Sequence, residues 1–189
     1  MITIVLSYFG VFYLSLITGR WLCSKSSVIA KLGETIFIKK KDQLDNSPIF
    51  GPLRKAIKES SLGKAIAFIF PMIALKSIAF YFISYILITP IVLIIQGIMM
   101  GSLYVYNDHQ TKKVKNLNNI TFWQLFSHIL AASYGTVIGI EWLLPDLLET
   151  YSFLKTQHNI GIYLILILIT AFIASFLEAK SILTSAYNE

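Results

Sequence analysis

Charged residues are scarce in this sequence. They make up 14% of its 189 residues, against about 25% in a typical soluble domain. Hydrophobic residues make up 56%, and the mean hydropathy is +0.68. This composition excludes an ordinary soluble protein, and the apolar runs reach the roughly 20 residues that a membrane-spanning helix needs. The runs are continuously apolar and do not alternate with polar residues, which favours helices over a β-barrel.

The sequence also has few residues that could carry catalysis or bind a metal ion. A single cysteine, Cys23, excludes a disulfide framework and a CxxC metal pattern. The histidines His109, His128 and His158 have no metal-ligand spacing. Ser127 directly precedes His128, so on a helix their side chains point about 100° apart and cannot form a nucleophile–base pair. With no HExxH, P-loop or GxSxG motif, we expect no enzyme activity, no metal site and no cofactor.

The apolar runs predict an all-α, polytopic membrane protein, a single integral membrane domain over residues 1–189. Residues 65–106 contain one charged residue, Lys76. One helix over this stretch would be about 63 Å long, twice a hydrocarbon core of about 30 Å. It must therefore form two spans, with the break at Thr89-Pro90 and a kink at Pro71. About five transmembrane helices are predicted, over residues 2–22, 66–87, 90–106, 122–144 and 160–177.

Basic residues are concentrated before the second span. Ten of the 16 lysines and arginines lie between residues 20 and 64, and a basic loop beside membrane spans is normally cytoplasmic. We expect a cytoplasmic loop over residues 24–64, with a short interfacial helix near residues 48–59. The N-terminus is then outside and the C-terminus in the cytoplasm, with 107–120 an inner loop and 145–159 an outer loop. Attraction to anionic lipid accounts for the charge without a nucleic-acid partner.

Two GxxxG patterns lie in the predicted spans. Gly97 and Gly101 are in the third span, and Gly135 and Gly139 are in the fourth. Glycines four residues apart share a helix face and let another backbone approach closely. Glycine is common in membrane helices, so chance is the alternative explanation. We expect helix-packing faces, used within the chain more than between copies.

Four ionisable residues are candidates for intramembrane polar sites: Lys76, His128, Glu141 and Glu178. Lys76 lies near the midplane, where a charge costs at least about 2.5–3.5 kcal/mol. It must therefore face the bundle interior, a water-filled cavity, a partner or an acidic side chain. The other three lie at different depths, which disfavours a buried ion pair with Lys76. Lys76 and His128 either belong to a polar path or partner site or are satisfied packing residues.

Three stretches in a fixed order resemble a known family. They are "IIQGIMMG", "FSHILAASYGTVIG" and "ILITAFIASFLEAKSI". Their order is similar to that in the stage II sporulation protein M family of multi-pass membrane proteins, over roughly residues 65–180. The matching positions are Gln96-Gly97 and Gly101, then Ser127-His128, then Phe176 to Ala179. Glutamine stands where the family has asparagine, and serine where it has proline.

The resemblance implies an integral membrane component without established catalytic residues. It also makes His128 and Glu178 family positions. One branch of the family recruits cell-wall hydrolases during engulfment of the forespore. Another branch, in low-GC Gram-positive bacteria, lies beside circular bacteriocins and is implicated in their maturation, export or immunity.

Three functions are open at this stage. The first is a non-catalytic subunit or scaffold of a cell-envelope membrane complex, with other membrane subunits or further copies of the chain as partners. The second is a membrane component for maturation, export or immunity of a small, circular bacteriocin-like peptide. It predicts a polar cavity between the second and fourth spans, lined by Lys76 and His128. The third is a small transporter or channel subunit. All three place the chain in the lipid bilayer of the cell membrane.

Overall fold

The chain is all-helical. The structure, a computed structural model, describes residues 2–109, 117–146 and 160–186, and no strand occurs in these ranges. A single 3₁₀ turn, Pro48–Phe50, precedes the third helix. The helices are α1 (Ile2–Lys25), α2 (Ser27–Asn46), α3 (Gly51–Lys58), α4 (Leu62–Tyr85), α5 (Thr89–His109), α6 (Leu117–Leu143) and α7 (Ile160–Ala186).

Four of these helices are long and apolar enough to cross a membrane. They are α1, α4, the Thr89–Tyr106 part of α5 and the Gly161–Thr184 part of α7. The predicted spans 2–22, 66–87, 90–106 and 160–177 lie on these helices. The predicted span 122–144 lies on α6, which is not among these four helices.

Helices α1 and α5 form a close parallel pair. A methyl group added to Gly97 of α5 would lie 2.7 Å from the Phe12 carbonyl oxygen of α1. One added to Gly101 would lie 2.8 Å from the Arg20 backbone nitrogen, further along α1 in the same direction. Conversely, a methyl group added to Gly19 of α1 would lie 2.7 Å from the Ile98 Cα atom of α5. Small residues on both helices therefore bring the two backbones into contact.

Helices α4 and α6 form a second close parallel pair. A methyl group on Gly135 of α6 would meet the Tyr81 carbonyl oxygen of α4, and one on Gly139 would meet that of Tyr85. The two GxxxG elements thus lie at two separate helix contacts within the chain. Each element is on the later helix of its pair, and neither faces away from the bundle.

Helix α6 lies at the centre of the bundle. It contacts α1, α4 and α7, and every residue from Ser127 to Val137 is buried. It runs antiparallel to α7, since the Tyr134 ring lies 5.4 Å from that of Tyr163 while Gln124 contacts Glu178 at the other end. Its surroundings in this bundle are therefore mainly other helices.

The basic segment 24–64 is more ordered than the sequence analysis predicted. We expected a loop with one short helix, and α3 matches that helix, with Leu53 and Ala56 buried against α4 and α7. The helix α2 was not predicted. Its many lysines and acids suggested a solvated loop, but Lys and Glu are good helix formers and Ser27–Asn46 contains no proline. Helix α2 packs on α5 and α1.

The predicted break between the second and third spans lies where a tight turn joins α4 to α5. Helix α4 ends at Tyr85, α5 begins at Thr89, and Pro90 occupies the first turn of α5, where its missing N–H is not needed. Leu87 has a φ of 61°. Pro71 lies inside α4, which continues through it. Most of the two loops predicted at 107–120 and 145–159 lies outside the described residues.

Candidate functional site: a polar groove between the helix pairs

A groove of about 370 Å³ lies between α4, α5 and α6. Its position follows from the two close pairs: α1 holds α5, α4 holds α6, and α4 and α5 make few contacts with each other beyond their turn. Phe12 of α1 and Ile36 of α2 also contribute to the wall. Its polar lining consists of Lys76, Gln96, Thr121, Gln124 and His128.

Lys76 is the charged residue of this lining. It follows Lys64, near the start of α4, by about 18 Å of helix. A lysine side chain at that depth cannot readily reach the interface by snorkelling. The Lys76 side chain is exposed to the groove and forms no hydrogen bond or ion pair within the described part of the chain. The groove is therefore where its ammonium group meets water or another molecule.

His128 lies in the wall beside it and is held on two sides. Its ring stacks on Phe80 of α4, with 5.1 Å between centroids and 7° between the planes. Its Nδ1 atom lies 3.0 Å from Ser77 Oγ. The Ser77 hydroxyl also lies 3.1 Å from the Ile73 carbonyl oxygen of its own helix. It therefore ties the His128 ring to α4.

The hydroxyl network extends from α4 through α6 to α7. Ser77 Oγ lies 2.9 Å from Ser127 Oγ, and Ser127 also donates to the Ile167 carbonyl oxygen at 3.2 Å. Ser77 and His128 have the spacing of a nucleophile–base pair. However, Ser77 is only 1% exposed between two helices, which leaves no room for a substrate carbonyl. The network joins three helices and holds the His128 ring in one orientation.

Glu178 and Glu141 are not part of the groove lining. The Gln124 amide, which lines the groove, donates to Glu178 Oε2 at 2.6 Å, so Glu178 supports the wall from α7. Glu141 lies near the end of α6. Of the four ionisable candidates, the structure thus brings Lys76 and His128 together and joins Glu178 to the same groove through Gln124.

A second polar cluster joins the two helix pairs near the ends of α4 and α6. Tyr8 of α1 and Thr136 of α6 share a hydrogen bond of 2.5 Å. Ser84 of α4 and Thr89 of α5 share another of 2.5 Å across the turn. These contacts link the pairs beside the groove and hold them at a fixed separation.

Sequence reasoning missed the uncharged polar residues of the groove. Gln96, Gln124 and Ser77 were not named as candidate site residues, because only ionisable side chains were considered. A signal was present, since Gln96 and Gln124 are large amides within apolar runs. In a membrane helix such a side chain needs a hydrogen-bonding partner for the same reason that a charge does.

No family model, curated protein or solved structure matches this chain. The chemistry of the groove must therefore be inferred from its own residues. It offers hydrogen-bond donors at Lys76 and Gln96 and an imidazole ring at His128. No group of three or more His, Cys, Asp or Glu side chains suited to a metal ion occurs in the ranges that the structure describes.

Proposed function

We propose that this protein is a non-catalytic, five-span membrane component that binds a membrane-embedded segment of another polypeptide in the groove. The observation that carries the proposal is a lysine-containing groove deep inside an otherwise apolar bundle. The peptide-handling hypothesis predicts a polar cavity between the second and fourth spans, and the position of the groove between α4, α5 and α6 supports that hypothesis. The partner is either a stable subunit of a cell-envelope complex or a small apolar peptide.

The directions of the helices support a fifth crossing by α6. Helices α1 and α5 are parallel, α4 and α6 are parallel, and α7 is antiparallel to α6. Helix α6 therefore starts on the side where α5 ends and ends on the side where α7 starts. Its 27 residues extend about 40 Å, enough for a hydrocarbon core of about 30 Å.

The charge distribution supports an orientation with the N-terminus outside and the C-terminus in the cytoplasm. Helices α2 and α3 carry seven of the 16 basic residues and lie between the end of α1 and the start of α4. The positive-inside rule places that side of the bundle in the cytoplasm.

The depth and size of the groove favour a polypeptide over a lipid headgroup. Headgroups lie at the membrane surface, whereas Lys76 lies about 18 Å along α4 from Lys64. The volume is at the small end of ligand pockets, which suits a few inserted side chains from a helix lying over the opening. Met99 and Met100 in the wall supply a surface that adapts to such side chains.

Membership of the stage II sporulation protein M family remains part of this proposal. The residues that carry the resemblance have structural roles: Gly97 and Gly101 contact α1, His128 bonds to Ser77, and Glu178 bonds to Gln124. Such roles are consistent with a shared architecture, and a partner in the cell envelope is the corresponding expectation.

Site-specific photo-crosslinking in native membranes tests the proposal. A photoreactive residue at Met99, which lines the groove, is compared with one at Ile169 of α7, which is similarly deep in the bundle, half exposed and outside the groove. We expect a discrete polypeptide adduct from Met99 only, with the cross-linked fragment in an apolar segment of the partner. Lipid adducts alone at both positions would contradict the proposal.

A further inference from the structure

Two donors in the groove wall have no acceptor in the described part of the chain. Lys76 of α4 and Gln96 of α5 line the same groove, and neither forms a hydrogen bond or ion pair with a described residue. Lys76 precedes the end of α4 by about 13 Å, and Gln96 follows the start of α5 by about 10 Å. Because the α4–α5 turn joins those two ends, the two side chains lie at similar depth.

Two other polar side chains of the groove, those of Gln124 and His128, already have hydrogen-bonding partners within the chain. The Gln124 amide donates to Glu178, and His128 Nδ1 shares a hydrogen bond with Ser77. An ammonium group and a primary amide therefore remain as the donors at this depth. Together they match a group that carries one negative charge and two acceptor oxygens.

We propose that Lys76 and Gln96 form a binding site for a carboxylate that the partner carries within its apolar segment. The inference rests on the proposed function and specifies its chemistry: the partner segment contains an Asp or Glu near its middle. An ion pair formed away from water offsets the cost of both buried charges, provided that further hydrogen bonds satisfy the carboxylate oxygens. The Gln96 amide supplies such a bond, and a lipid acyl chain supplies no such group at this depth.

The test uses synthetic transmembrane peptides as probes. Each is a Leu/Ala helix of about 22 residues with one central Glu, Gln or Lys, and each is labelled for energy transfer to the purified full-length protein. The protein is reconstituted in vesicles of neutral phosphatidylcholine, so that lipid charge does not contribute. Binding of each peptide is measured at neutral pH by titration.

We expect the Glu peptide to bind the unaltered protein at least about tenfold tighter than the Gln peptide, as for a hydrogen bond to a charged group. Lys76→Met should abolish this preference, and Lys76→Glu should transfer it to the Lys peptide. Gln96→Met should reduce it by a smaller factor. The matched control is Lys64→Met, because Lys64 lies outside the groove, in a separate pocket between α3 and α4. This variant should leave the preference for the Glu peptide unchanged.

Equal binding of the Glu and Gln peptides by the unaltered protein would overturn the carboxylate site. If the Met99 adduct still forms in that case, partner binding stands and only its assigned chemistry is wrong. If the adduct is also absent, both proposals fail. A preference for the Glu peptide that survives Lys76→Met would overturn the assignment of the site to Lys76. A preference that added oleate removes in the unaltered protein would overturn the assignment of the ligand to a polypeptide.

Discussion

The two close helix pairs both contain a GxxxG motif but differ in the hydrogen bonds beside it. In the α1–α5 pair, Gly97 and Gly101 contact backbone, and the Ser15 hydroxyl is bonded within its own helix, to Val11. In the α4–α6 pair, the contact made by Gly135 and Gly139 continues into the network of Ser77, Ser127 and His128. Close packing is therefore common to both pairs, whereas the serine–histidine network belongs to the second.

The comparison teaches that GxxxG sets the distance between helices and not what lies between them. Glycine removes the side chain that would separate two backbones. The residues next to the glycines then decide whether the interface stays apolar or holds a hydrogen-bonded network. The groove forms where the α4–α6 pair faces the α1–α5 pair.

The largest effects are expected from filling the glycine contacts. Gly97→Val in the first pair and Gly135→Val in the second should each lower the free energy of unfolding by about 3 kcal/mol, because the new side chain meets backbone that cannot move away easily. Thermal unfolding of the detergent-solubilised protein measures this. Gly10→Ala and Gly63→Ala are the controls, since nothing lies within 4 Å of a methyl group there. Equal behaviour of all four variants would contradict the packing role.

The next effect separates stability from binding at Lys76. Lys76→Leu should raise the stability of the isolated protein by about 2 kcal/mol, because it removes a charge from inside the bundle. It should at the same time weaken the Met99 cross-link. Lys64→Leu should not raise stability, since Lys64 pairs with Glu59 at the surface. Lower stability of the Lys76 variant would show that this lysine has a structural partner within the chain.

A smaller effect should distinguish the hydroxyls of the two pairs. Ser77→Ala removes the hydrogen-bonding partner of His128 Nδ1 and should cost about 1 kcal/mol, within the range measured for interhelical hydrogen bonds in membranes. Ser15→Ala removes only a bond within α1 and should be near neutral. A double-mutant cycle of Ser77→Ala with His128→Phe isolates the coupling. Additive effects would rule out the Ser77–His128 bond as the cause.

The smallest effect concerns the ends of α1 and α4 near the basic helices. Lys25 lies over the Trp21 ring at 4.6 Å, a contact that involves no carboxylate. Lys64 instead hydrogen-bonds to Glu59, which lowers the pKa of the Glu59 carboxyl from its ordinary value of 4.5. The contribution of this pair is therefore present above pH 4.5 and is lost as the pH falls through the lowered, folded-state pKa.

Glu59→Gln is the variant that tests this pH dependence. It should lower thermal stability slightly at pH 7 and have a smaller effect at pH 3, because the contribution of the pair is lost as the pH falls through the lowered, folded-state pKa. The effect is small because the pair is exposed and screened by water and salt. Lys25→Met, as the control, should show the same difference from the unaltered protein at both pH values.

Periodic and compositional features made parts of the fold predictable. Long apolar runs located α1, α4, α5 and α7, because a helix that faces lipid must be apolar over about 20 residues. Pro90 located the α4–α5 turn because its ring and missing N–H disfavour the interior of a helix. Helix α2 was missed because its charges are spread along the whole segment, and charge density by itself does not distinguish a solvated helix from a loop.

The sequence by itself determined the class of the protein: an all-helical chain with helices long and apolar enough to cross a membrane, one of which contains an isolated lysine. Only the tertiary structure decided that Lys76, Gln96 and His128 share a groove. These residues lie on three different helices, and which faces of those helices meet depends on contacts such as Gly135 with Tyr81. Hydropathy records how a residue partitions into lipid, whereas packing between helices depends on shape, which a linear pattern does not contain.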